Sequence, residues 1–180
     1  LLYVSPAWTP TKFDIEGLKE VDSKFYRTIK NIYYFFKLYA NTDNLNPVKF
    51  DVDYEERTRL DRWLLSKYNN LLKSVDVYMD EYDLTNVVHA IQVFVDEDFS
   101  NWYIRRSRRR FWASELDIDK KSVYKTTYEI LSGISRMIAP FVPFISEELY
   151  QKLTGEESVH LANYPVVNDN LIDNELEEKM

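Results

Sequence analysis

The stretch Ile15-Glu16-Gly17-Leu18-Lys19-Glu20-Val21-Asp22-Ser23-Lys24-Phe25-Tyr26-Arg27-Thr28-Ile29-Lys30-Asn31-Ile32-Tyr33-Tyr34-Phe35-Phe36-Lys37-Leu38-Tyr39 decides the fold class. Its apolar residues Ile15, Leu18, Val21, Phe25, Ile29, Ile32, Phe36 and Tyr39 step by three and four, the spacing of one helical face. The pattern predicts one amphipathic helix over residues 15–41, with Asp14 as N-cap and Glu16 well placed in the first turn. The run Tyr33 to Phe36 covers more than one face, so this end is expected to be buried on two sides. Core packing explains those rings better than a cofactor box does. Before the helix, residues 1–13 carry Pro6, Pro10, Trp8 and Phe13 and read as an extended lead-in.

The same period recurs outward along the chain. Asn41 to Pro47 is a loop by turn chemistry. A second helix is expected over 54–81, with a stripe through Leu60, Trp63 or Leu64, Tyr68, Leu71 or Leu72, Val75, Tyr78 and Met79. Asp83 or Thr85 caps a third, which carries Val87, Val88, Ile91, Phe94 or Val95, Phe99, Trp102 and Tyr103 into an arginine cluster. A fourth follows over 119–139. Ala139-Pro140-Phe141-Val142-Pro143 ends it and Pro143 starts a fifth, which Gly155 closes. Ser158 to Pro165 reads as a short extended segment. The tail from Asn168 begins another helix, whose partners are expected outside these residues. Only three glycines are present, which argues against a hairpin-rich β-fold and against any glycine-rich phosphate loop. The expected fold is all-α, a bundle of five long helices. Residues 1–13 form the lead-in, 14–155 the helical domain and 156–180 an acidic extension.

Composition narrows the chemistry. The chain has no cysteine, which removes disulfides, a thiol nucleophile and cysteine-type zinc sites from these residues. No apolar run approaches the roughly 18 residues of a membrane span, so no membrane partner is expected. The start at Leu1 without an initiator Met reads as the interior of a longer chain. His89 and His160 each lack a second ligand at metal spacing, and no Glu-x-x-His pair occurs. Glu147-Glu148 near a helix start is explained by the helix dipole. No catalytic constellation is found, and no metal or cofactor is expected in this chain.

The remaining feature is Asn101-Trp102-Tyr103-Ile104-Arg105-Arg106-Ser107-Arg108-Arg109-Arg110-Phe111-Trp112, with five arginines in six residues and no acid. Guanidinium groups pair with phosphate and stack on bases, and the rings offer stacking faces. The candidate nucleic-acid contacts are Arg105, Arg106, Arg108, Arg109, Arg110, Trp102 and Tyr103. The plainer alternative is that these arginines close a helix and pair with Asp96, Glu97 or Asp98. At about 100° per residue, Arg105, Arg109, Arg106 and Arg110 fall at about 0°, 40°, 100° and 140°, and Arg108 at about 300°. The five cannot all face one way, so some are structural; at least two are expected to pair with acids inside the bundle. The net charge of −7 does not oppose an anionic partner: residues 156–180 hold seven acids against one base, leaving −1 for residues 1–155.

Several motifs together resemble one family. Phe13-Asp14-Ile15-Glu16-Gly17-Leu18-Lys19-Glu20-Val21, Asn31 of Asn31-Ile32-Tyr33-Tyr34-Phe35-Phe36, and Asp61-Arg62-Trp63-Leu64-Leu65-Ser66-Lys67 resemble the anticodon-binding domain of isoleucyl-tRNA synthetases. So do the Ser100–Trp112 stretch, Ala139-Pro140-Phe141-Val142-Pro143-Phe144-Ile145-Ser146-Glu147, and Val159-His160-Leu161-Ala162-Asn163-Tyr164-Pro165. The match runs nearly the whole chain in order. The Ala-Pro-Phe-x-Pro-Phe turn recurs in the valine, leucine and methionine relatives. The arginine-rich continuation after Trp102-Tyr103-Ile104 is similar to the isoleucine enzymes in particular, with the valine enzymes as the alternative.

The resemblance implies a cytoplasmic parent enzyme that attaches isoleucine to its tRNA, using ATP and magnesium in a catalytic domain in cis. The His-Ile-Gly-His-like and Lys-Met-Ser-Lys-Ser-like signatures of that domain are absent here, as are an editing domain and a Cys-rich zinc module. These residues are therefore expected not to aminoacylate alone. Their partner would be the anticodon stem-loop of tRNA-Ile. A helical protein-interaction module is the rival from another class.

Overall fold

Two long rods, each interrupted by a π-helical stretch, set the frame. They are seen in a computed structural model that describes residues 8–10 and 15–180. The cap expected at Asp14 and all of the expected lead-in except residues 8–10 lie outside the described residues. The first rod is α1 (Ile15–Val21), a π turn at Asp22–Tyr26, and α2 (Arg27–Thr42). It buries Ile29, Ile32, Tyr33 and Phe36. Of the aromatic run, Tyr33 and Phe36 are buried and Phe35 packs against Phe111 at 5.0 Å between ring centres, so more than one side of the helix is covered, while Tyr34 faces outward.

α3 (Arg59–Asp80) begins five residues later than the expected start at 54, because Tyr54–Glu56 forms a separate 3-10 turn. Thr58 sets the true start. Its hydroxyl accepts from the Asp61 N–H at 3.2 Å, and the Asp61 carboxylate accepts from the Thr58 N–H at 3.1 Å. This reciprocal capping box satisfies two backbone donors that a helix start otherwise leaves open.

The second rod runs through α4 (Leu84–Val93), a π stretch at Phe94–Ile104 and α5 (Arg105–Trp112). The Arg105 N–H reaches back five residues to the Ser100 carbonyl, the π pattern. A π turn closes i→i+5 and so advances by less than the α-helix's roughly 100° per residue. On that wider turn the buried residues Phe94, Val95, Phe99, Tyr103 and Ile104 come round to one face. At the α period they would be scattered round most of the helix. The wider turn thus keeps one apolar face on α2 and α3 for eleven residues.

α6 (Ile118–Met137), capped by Asp117, packs against α3, α5 and α7 (Pro143–Thr154). Pro143 opens α7, and Gly155, left-handed at φ 76°, closes it as expected. The described residues form an all-α bundle of five long helical segments, in agreement with the sequence pattern. No described helix is long and apolar enough to cross a membrane.

Three local expectations change. Residues 158–165 include a 3-10 turn at Val159–Leu161. Glu147 holds it, accepting from the Ser158 hydroxyl at 3.0 Å and the Val159 N–H at 2.7 Å, so a specific contact accounts for this acid better than the helix dipole does. The tail helix α8 (Asn174–Glu178) finds its partner within the chain: Leu176 enters the main core, and Glu177 accepts from Ser66 and Asn70 on α3.

The α3–α6 crossing depends on Gly133. A Cβ there would lie 2.1 Å from the Tyr68 hydroxyl and 2.7 Å from its ring carbon. Tyr68 is buried against Phe94, so its ring or the helix must shift to admit the methyl group. Gly133→Ala is expected to lower stability by about 1–3 kcal/mol, the range for overpacking a core. Urea denaturation checks this; a variant as stable as the parent would mean that the helices separate freely.

Candidate nucleic-acid interface

The arginine cluster is built on α5, and its orientation is set from beneath by one buried carboxylate. Asp61 has no exposed surface. Its oxygens accept from both Arg110 Nη atoms at 2.8 and 2.6 Å, from the Tyr103 hydroxyl at 2.5 Å, and from the Ser122 and Thr58 hydroxyls at 2.7 Å each. Arg110 also donates through Nε to Asp119 at 2.9 Å. Burial would push the Asp61 carboxyl up; the Arg110 guanidinium outweighs it, with help from Tyr103 and Ser122, and holds it below the usual carboxylate range. Burial and the neighbouring Asp61 push the Tyr103 hydroxyl well up, so it remains a donor. The network ties α3, α5 and α6 at one point.

The outer side of α5 is different. Ser107 and Phe111 face the core. On the wheel, Arg108, Trp112, Arg105, Arg109 and Arg106 follow one another over about 160° of the opposite side. All five are exposed. Among the described residues no acid pairs with any of these four arginines. Arg106 lies over the Trp102 ring, 4.4 Å from its centroid. Trp112 is 56% exposed, and its indole N–H is fixed by the Tyr39 hydroxyl at 2.8 Å.

Two of the candidate contacts are therefore corrected. Tyr103 is wholly buried and bonded to Asp61, so it cannot stack on a base. Arg110 is half-buried and engaged by Asp61 and Asp119. It is the one arginine of the five paired with acids, where at least two were expected. Asp96, Glu97 and Asp98 are not its partners; Asp98 instead meets Lys67 at 3.4 Å. Trp102 is half-buried between Arg106 and Trp63 and acts as a floor for the guanidinium. The open ring of the cluster is Trp112, which the sequence pattern placed beside the arginines without assigning it a contact. Its signal was its position, seven residues after Arg105 and therefore on the same face.

No described group of three His, Asp or Glu side chains could hold a metal ion. What the surface offers is four unpaired guanidinium groups and an indole face, a combination suited to phosphate and to unstacked bases.

Residues 61–180 match the family described as the anticodon-binding domain of tRNA ligase, and the chain belongs to that family. Its similarity to individual members is specific. It is 44% identical over 182 residues to the isoleucine--tRNA ligase of Clostridium tetani, covering 98% of this chain. It is 44% identical over 177 residues to that of Porphyromonas gingivalis, again covering 98%, and 44% identical over 181 residues to isoleucine--tRNA ligase 2 of Bacillus cereus, covering 100%. The chain spans 16–17% of the length of these relatives.

Proposed function

We propose that this chain is the part of an isoleucine–tRNA ligase that holds the anticodon stem-loop of tRNA-Ile. The observation that carries the reading is the outward face of α5, with Arg105, Arg106, Arg108 and Arg109 unpaired and Trp112 exposed, in a chain of this family. An anticodon loop is single-stranded RNA and offers phosphates to guanidinium groups and unstacked bases to an aromatic ring. The rest of the enzyme, in cis, would activate isoleucine with ATP and magnesium and pass it to the tRNA in the cytoplasm. These residues supply recognition and no chemistry. On this reading the anticodon-binding unit includes the acidic extension as well as the five long helical segments, because Leu176 enters the main core and Glu177 is bonded to α3.

The test is binding of labelled anticodon stem-loops to the 180-residue chain. The tRNA-Ile stem-loop is expected to bind, and one with a replaced anticodon to bind at least tenfold more weakly. Equal binding of both, or of neither, would overturn the reading; a helical protein-interaction module predicts no dependence on the anticodon.

A further inference from the structure

The basic surface does not end at α5. Arg106 covers Trp102, and the Trp102 ring lies 6.2 Å from that of Trp63 on α3. Trp63 follows Arg59 by four residues, so Arg59 lies one turn away on the same face of α3. Arg62 follows Arg59 by three residues and shares that side of α3. The first turn of α3 is bound to α5 on its other side, through Asp61 and Arg110. Two more arginines thus stand on the first turn of α3, each within about a turn of Trp63.

Neither arginine has an ion-pair or side-chain hydrogen-bond partner among the described residues. Arg59 is exposed, and no described acid pairs with it. Arg62 is half-buried; it lies 5.8 Å from the centre of the Tyr54 ring, and its Nε is buried without a hydrogen-bond partner. Arg59 and Arg62 line a crevice of about 210 Å³ with Asp173, Glu175 and Lys179. The acids there are engaged elsewhere: Asp173 caps α8 and Glu175 pairs with Lys179. The start of α3 is itself closed by the Thr58–Asp61 capping box, so its backbone is not the attraction. What remains open is a pair of guanidinium groups with no acid partner, one of them beside the Tyr54 ring. Such groups take a phosphodiester oxygen.

We infer that the RNA-binding face continues from α5 across Trp102 and Trp63 to the first turn of α3, where Arg59 and Arg62 hold a second stretch of the RNA phosphate backbone. The inference rests on the reading of the chain as a tRNA-binding domain and extends its footprint to residues outside the arginine cluster.

The test is the double variant Arg59→Gln, Arg62→Gln in the 180-residue chain, titrated with the tRNA-Ile anticodon stem-loop at several salt concentrations. Affinity is expected to fall by roughly 25-fold at about 0.1 M salt, and the slope of log K against log salt to flatten by about 1.4, for two lost phosphate contacts on a single strand. The melting temperature is expected to hold or rise, because neither side chain has an ion-pair partner to lose. A lower melting temperature with an unchanged salt slope would make the pair structural and overturn the inference. If changes on α5 abolish binding while this variant binds as the parent does, the inference fails and the proposed function stands. If neither set of changes alters binding, both fail.

Discussion

Asp61→Asn is expected to destabilise the chain by about 3–5 kcal/mol, the range for breaking one side of a buried ion pair. At this chain length that lowers the melting temperature by on the order of 10 °C. The substitution keeps the size of the side chain and removes the charge. Arg110 would retain only Asp119 and its backbone carbonyl, and the buried Tyr103 hydroxyl would lose its charged acceptor. Thr58 would lose its capping carboxylate. The pH dependence separates charge loss from general damage. Arg110 holds the Asp61 carboxyl below its ordinary value against the upward push of burial. Its stabilising contribution is therefore present above the unfolded value, about pH 4, and is lost as pH falls through the lower folded value. The stability gap between parent and variant should stay constant from about pH 5 to 8 and close below about pH 4. A gap that closed near neutrality, or an Asn variant as stable as the parent, would show that the carboxylate is not the tie between α3, α5 and α6.

The parts of the fold that follow an α period were readable from apolar spacing and caps alone. Pro143, Gly155, Asp83 and the stripe of α6 all lie where the pattern puts them. The Thr58-x-x-Asp61 box was also present in the sequence, but a stripe that begins at Leu60 does not reveal which nearby residue caps it. The failures have two causes. Trp102 and Tyr103 were named as contacts because they stand next to the arginines in sequence, although both also fall on the apolar stripe with Phe99, and in the structure Tyr103 belongs to that buried stripe while Trp102 is half-buried. Trp112, the exposed ring, was passed over. Arg110 was lost for the second reason. Its partner Asp61 is 49 residues away, and the Tyr103 and Ser122 hydroxyls on that carboxylate come from positions 42 and 61 residues distant. Local spacing carries no trace of such contacts, and the same holds for Glu177 reaching Ser66.

Changing Arg106, Arg108 and Arg109 together to Ala is the variant with the largest expected effect on binding. Each lies on the outer face of α5, and none is held by an acid among the described residues. A guanidinium on a single-stranded phosphate displaces counterions with a slope of about 0.7 per contact. Three lost contacts should flatten log K against log salt by about 2 and weaken stem-loop binding roughly 100-fold at about 0.1 M salt. Stability should barely move. Alanine is the stronger helix former, which offsets the Arg106–Trp102 stacking, about 0.5–1 kcal/mol at an exposed site. This separation of effects distinguishes the outer arginines from Arg110, whose bonds to Asp61 make it part of the fold. Filter binding or fluorescence anisotropy across a salt series, with a thermal melt of the same sample, reads both quantities. Unchanged affinity and slope in a folded variant would remove α5 from the RNA surface. A melting temperature reduced as far as in Asp61→Asn would place these arginines in the structural network, and neither result is compatible with four open guanidinium groups poised for phosphate.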